Sequence, residues 1–199
     1  MIEIPIIYMD QEAIKRVVKG SNPMDYVLSR GCSEDLGEQL LRYKKSVEGR
    51  RIIEIGSART GILPHVVQLE VPSYVGVDPF AVNATTSVIE EFLKDNPQYA
   101  GMFSAESEDA LTFLRSQPTE SATVVSSGVL DFSVIGGKIH NDPDVAQYQR
   151  ELSSEIYRVT PVNGISYHRC ADREWQEALV SAGFKADEIS DFLFLKESQ

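Results

Sequence analysis

From residue 51 onward, short runs rich in β-branched residues alternate with stretches of helical periodicity, and no other feature restricts the fold so tightly. Arg51-Ile-Ile-Glu-Ile55 is a compact apolar run, followed by a helical pattern over 61–70 in which Pro64 is tolerable only near the first turn. The same alternation continues with strands at 73–77, 101–104 (the weakest), 122–125 and 162–168, and helices at 84–94, 107–115, 144–157 and 173–182. Two closing runs, 185–189 and 192–195, have no helix between them. Strand–helix alternation predicts an α/β domain, a three-layer Rossmann-like sandwich whose mostly parallel sheet is covered on both faces. The helix-free ending predicts an antiparallel C-terminal hairpin.

The first 49 residues read differently. A short helical stretch over 10–19 ends at Gly20-Ser-Asn-Pro23, and Ser33 is placed to cap a longer helix carrying Leu36, Leu40, Leu41 and Val47. We expect a helical N-terminal extension or lid over 1–49 and the α/β domain over 50–199. No internal repeat or low-complexity tract interrupts either part.

Composition excludes several classes of function. The 199 residues carry a formal net charge of −11, which repels a phosphate backbone, so nucleic acid is not an expected partner. Short basic clusters such as Arg42-Tyr43-Lys44-Lys45 read as solvated helix faces. No apolar run reaches the roughly 20 residues a spanning helix needs, and the acidic start lacks a signal-peptide pattern. With two distant cysteines, Cys32 and Cys170, read as reduced thiols, the expected location is cytoplasmic and no metal site is expected.

In sheets of this kind, ligands bind beyond the carboxyl ends of the strands. After the first strand comes Glu54-Ile-Gly56-Ser-Ala58-Arg-Thr-Gly61. Its glycines suit a tight turn against a ligand, and Gly56-x-Ala58-x-x-Gly61 also fits a degenerate dinucleotide fingerprint. Glu54 argues for a different ligand, because a carboxylate there attracts an ammonium group whereas a pyrophosphate would be repelled. Asp78, before Pro79 and about 20 residues past the turn, is placed to accept from ribose hydroxyls. It also suits a helix-capping turn. Glu106, before Ser107, could accept from an adenine amino group or simply favour a helix start. Ser126-Ser127-Gly128 offers small residues after the fourth strand.

These stretches resemble class I S-adenosylmethionine-dependent methyltransferases. The resemblance covers roughly residues 50–199 and also rests on Val75-Gly-Val-Asp78, Val124-Val-Ser-Ser-Gly-Val-Leu-Asp131 and Glu155-Ile-Tyr-Arg-Val-Thr-Pro-Val-Asn-Gly164. It implies a seven-stranded sheet and S-adenosyl-L-methionine as cofactor. It implies Glu54, Gly56, Ser57, Ala58 and Gly61 around the methionine portion and Asp78 with Pro79 at the ribose. Glu106 and Ser107 fall near the adenine, and Ser127 and Gly128 beside the sulfonium. Ala58 and Thr60 depart from the family's usual glycines, and no Asn/Asp-Pro-Pro-aromatic motif follows the fourth strand.

The implied activity is in-line methyl transfer to a small or medium-sized acceptor. A base is needed only for weak nucleophiles. His140, in the glycine-rich loop Gly136-Gly137-Lys-Ile-His140, is the first candidate and His168 the second; His65 has no expected chemical role. Tyr26 and Tyr148 could line an acceptor pocket, although an aromatic at helical spacing is more often core. Two alternatives stay open: a catalytically silent module that binds cofactor or protein, and an NAD-dependent oxidoreductase.

Overall fold

Seven strands form one sheet in the order β3-β2-β1-β4-β5-β7-β6, with β1 (Arg51–Ile55) and β4 (Ala122–Ser127) adjacent at its centre. The computed structural model describes residues 36–57, 60–79, 81–127, 143–169, 171, 173–188, 190 and 192–198. The remaining strands are β2 (Tyr74–Val77), β3 (Phe103–Glu106), β5 (Ile165–Arg169), β6 (Lys185–Ala186) and β7 (Leu193–Leu195). β1 to β5 pair in parallel; β7 runs antiparallel to both β5 and β6, as the helix-free C-terminal runs predict. Among the described residues six α-helices connect and cover the strands: α1 (residues 36–42), α2 (Leu63–Gln68), α3 (Val82–Asp95), α4 (Ala110–Ser116), α5 (Pro143–Val159) and α6 (Arg173–Ser181).

The central strands are buried on both faces, which is why their sequences are continuously apolar rather than alternating. On one face Ile53, Val75 and Val124 meet Leu111 and Leu114 of α4, Leu152 and Ile156 of α5, and Trp175 of α6. On the other face Ile52, Tyr74 and Val125 meet α1 to α3 through Leu36, Leu63, Val66 and Ile89. Each fully buried aliphatic side chain contributes about 1.5–3 kcal/mol. Leu36, Leu40 and Val47 are all enclosed in that second cluster, so packing runs without a break across residue 49. Gly37 lies so close to the His65 ring that a Cβ there would collide with it; its missing side chain lets α1 seat against α2.

Two long cations close helix ends on the first face. Arg158 donates to the carbonyls of Leu114 and Gln117 at the end of α4, and Lys196 donates to those of Tyr157 and Thr160 at the end of α5. Strand three begins two residues later than the sequence pattern predicts. Gly101 has a φ of +85° within a turn, and extended pairing starts only at Phe103. Likewise β5 starts at Ile165, because Gly164 N–H bonds the Pro161 carbonyl and Asn163 is left-handed, which holds residues 161–164 in a turn.

Candidate functional site

The order of strands reverses between β1 and β4, and the carboxyl ends of β1, β2 and β4 frame the crevice that this reversal opens. Glu54, on β1, and Asp78, just past β2, both fall at this end of the sheet. In the β1–β2 register Glu54 lies beside Gly76 and Ile55 beside Val77, so Asp78 leaves β2 level with the start of the turn at Gly56. Gly56 has a φ of +64°, a conformation that glycine adopts without steric cost, and its N–H bonds the Val77 carbonyl. The turn is thereby tied to the end of the neighbouring strand.

Gly76 makes a second close approach possible. A Cβ on it would fall 2.5 Å from Ser57 Oγ and 2.7 Å from Thr85 Cγ2. Its absence lets the turn and α3 close over β2, where Ser57 Oγ and Thr85 Oγ1 share a hydrogen bond of 2.8 Å. Ser57 thus ties the turn to α3. Gly61 lies on the turn's exit, and α2 begins two residues beyond it at Leu63, with Pro64 in its first turn.

Glu54 is 1% exposed. Two hydroxyls donate to it, Thr60 Oγ1 at 2.6 Å and Tyr74 OH at 2.5 Å, and both fall on Oε2. Burial pushes the Glu54 carboxyl up to about 7; the two hydroxyls oppose that rise and the Asp78 charge adds to it. Tyr74 is pushed well above its ordinary range, chiefly by burial and then by the Glu54 charge, so it remains a donor. In sequence Thr60 stands out only as a departure from glycine, and no motif marks Tyr74, yet both donate to Glu54. Gly76 was the available clue: the position beside Glu54 has no side chain, so a long polar side chain one step back on that face can reach the carboxylate.

Asp78 is also buried, and its Oδ1 accepts from Ala81 N–H at 2.7 Å. The turn-capping role is therefore present in the structure, with Pro79 inside the capped turn. Glu106 is the last residue of β3 rather than the first beyond it, and both it and Ser107 are exposed. The cap of α4 is Asp109, which accepts from Thr112 N–H, so Glu106 has no part in starting that helix. Tyr148 donates to the same Asp109 and packs partly into the core. At the end of β4, Ser127 Oγ is enclosed with no hydrogen-bond partner among the described residues, an arrangement that costs free energy unless something else satisfies it.

His168 lies on the opposite face of the sheet and is fully enclosed. Ser126 Oγ meets its Nδ1 at 2.9 Å, and Ser166 Oγ meets its Nε2 at 2.7 Å. Burial lowers its pKa to about 3, so it stays neutral. With both ring nitrogens engaged and no exposed surface, His168 is a buried connector between β4 and β5, not the open base its strand-end position predicts. Ala58, Gly128, His140 and Tyr26 lie outside the described residues. Among the described residues no cluster of His, Cys, Asp or Glu is arranged to hold a metal, and no helix is long and apolar enough to cross a membrane.

No family model matches the chain, and no curated protein matches its sequence. Solved structures do match its fold. One is a Methanococcus maripaludis protein assigned to the S-adenosylmethionine-dependent methyltransferases, with TM-score 0.57, 16% identity, and coverage of 91% of this chain and 94% of that one. Another is an S-adenosylmethionine-dependent methyltransferase of Archaeoglobus fulgidus, with TM-score 0.50, 21% identity, and coverage of 79% and 71%. A third is geranyl diphosphate C-methyltransferase of Streptomyces coelicolor, solved with Mg2+, geranyl diphosphate and S-adenosyl-L-homocysteine. It has TM-score 0.53, 11% identity, and coverage of 76% and 60%. The chain has the fold of the class I S-adenosylmethionine-dependent methyltransferases.

Proposed function

We propose that the chain binds S-adenosylmethionine at the carboxyl ends of β1, β2 and β4 and directs methyl transfer to a small or medium-sized acceptor. One arrangement carries this reading: the β1–β2 register sets Glu54 and Asp78 at neighbouring strand ends, where the Asp78 charge adds to the rise in the Glu54 pKa. Two buried carboxyls at neighbouring strand ends suit a ligand that is cationic at one end and carries ribose hydroxyls at the other. The neighbouring structures support the same ligand, since they include S-adenosylmethionine-dependent enzymes and one complex with S-adenosylhomocysteine.

In this reading Glu54 meets the ligand's ammonium group, with Gly56, Ser57, Ala58 and Gly61 forming the turn around it. Asp78, in the turn with Pro79, accepts from the ribose, and Glu106 with Ser107 lies at the adenine end. Ser127 and Gly128 lie beside the sulfur, where the unpartnered Ser127 hydroxyl supports the fit. The cofactor supplies an already activated methyl group, so the protein's own task is to align the acceptor and keep water out. His140 remains the candidate base for an acceptor that needs one. Methyl transfer from labelled S-adenosylmethionine into small-molecule extracts tests the reading; saturable cofactor binding without any turnover would contradict the catalytic part.

The enclosure of His168 favours a second reading, a module that binds the cofactor or a protein partner without catalysis. With that residue sealed, no histidine stands open among the described residues at the strand ends. Saturable cofactor binding with no label transferred to any extract component is the result this second reading expects.

A further inference from the structure

We propose that Thr60 and Tyr74 are positioning residues for Glu54: by donating together to Oε2 they orient the carboxyl and reserve Oε1 for the ammonium group of an amino-acid-bearing ligand. The inference rests on the cofactor site described under the proposed function and adds two residues to it. Three separate stretches converge on this carboxyl: β1 supplies it, the turn supplies Thr60, and β2 supplies Tyr74. Both bonds have the short lengths typical of hydroxyls donating to a carboxylate. Among the described residues no donor reaches Oε1.

This arrangement separates the roles of the two oxygens. An oxygen that already accepts twice is a poor seat for a proton, so when Glu54 is neutral its proton resides on Oε1. An arriving ammonium group must displace that proton to solvent and take its place. The groups facing Glu54 are the Thr60 and Tyr74 hydroxyls, which favour the ionised form, and Asp78, which disfavours it. Removing either hydroxyl therefore makes the carboxyl harder to ionise. Thr60, a departure from the family's glycine, thus acquires a function in this chain.

The test uses the full chain and S-adenosylhomocysteine titrated by calorimetry from pH 5.5 to 8.5, with wild type, Tyr74→Phe, Thr60→Val and Glu54→Gln. In wild type the affinity should rise with pH, with a midpoint near 7 and a plateau above it. Tyr74→Phe should move that midpoint up by about one pH unit, with about fivefold weaker binding at pH 7 that recovers toward pH 8.5. Thr60→Val should act in the same direction, and Glu54→Gln should flatten the profile. Equal weakening at every pH, or no change, would show that the hydroxyls merely fill space. If wild type does not bind S-adenosylhomocysteine, the cofactor reading fails, and the positioning role is decided without ligand. The infrared carboxylic-acid band lost in Glu54→Gln is then titrated, and a midpoint unmoved by Tyr74→Phe overturns the inference.

Discussion

Glu54 and His168 are both enclosed near the carboxyl ends of central strands, yet the protein treats them in opposite ways. On the His168 face two serines saturate the ring, Ser166 passes its hydroxyl on to the Val124 carbonyl at 2.7 Å, and the Phe194 ring lies 6.1 Å away. On the Glu54 face two donors share one oxygen, and a second carboxyl stands nearby. A saturated buried polar group links strands and fixes their register. A buried acid held against its own ionisation disfavours the empty fold, and such residues belong to sites where a ligand brings the compensating charge.

The largest effect that could break this comparison lies on the saturated side. His168→Ala removes a packed ring and leaves the Ser126 hydroxyl without its partner, so urea unfolding should show a loss of about 3–4 kcal/mol. A loss under 1 kcal/mol would mean that the network holds little together.

Next in size is Glu54→Gln, which should stabilise the ligand-free chain by about 2–3 kcal/mol at pH 8 and not at pH 4.5. The raised pKa of Glu54 means that between 4.5 and about 7 the folded state holds a proton the unfolded state has released. Its contribution to stability is present below 4.5, declines as pH rises through that window, and is lost above about 7. His168 works in the other direction. Between 6.5 and about 3 the unfolded state binds a proton that the folded state refuses, so stability is lost as pH falls. Thermal melts across pH 3–8 should therefore show a gain for Glu54→Gln above pH 7 that vanishes on acidification. A gain of the same size at both ends would assign the effect to packing.

The smallest effect is Ser127→Ala. Removing a hydroxyl that has no partner should leave ligand-free stability unchanged or raise it by up to about 1 kcal/mol, while weakening S-adenosylhomocysteine binding. Destabilisation in the melt would indicate that the hydroxyl is already satisfied.

Much of the architecture was legible because it depends on local pattern. Continuous apolar runs marked the buried parallel strands, and the absence of a helix between the last two runs marked the antiparallel end. Strand alternation also put Glu54 and Asp78 at the carboxyl ends of the first two strands, and the register of β1 with β2 makes those ends neighbours. The parts that escaped depend on register and distance. Strand three was displaced by the left-handed turn at Gly101, a backbone conformation that glycine permits without announcing. His168 was misread because position at a strand end does not reveal which way a side chain faces, and the pairing of Ser126 with His168 exists only once β4 and β5 are in register. Tyr74 lies 20 residues from Glu54 in sequence, and only the side-by-side placement of β1 and β2 brings its hydroxyl to the carboxyl.

Calorimetric titration of S-adenosylhomocysteine into wild type and Asp78→Ala, at pH 8 and with NADH as a competitor, tests the central claim most directly. The account predicts saturable one-site binding that NADH does not displace, weakened by about 1.5–3 kcal/mol in the variant. Absence of binding, displacement by NADH, or unchanged affinity in a folded Asp78→Ala variant would contradict it.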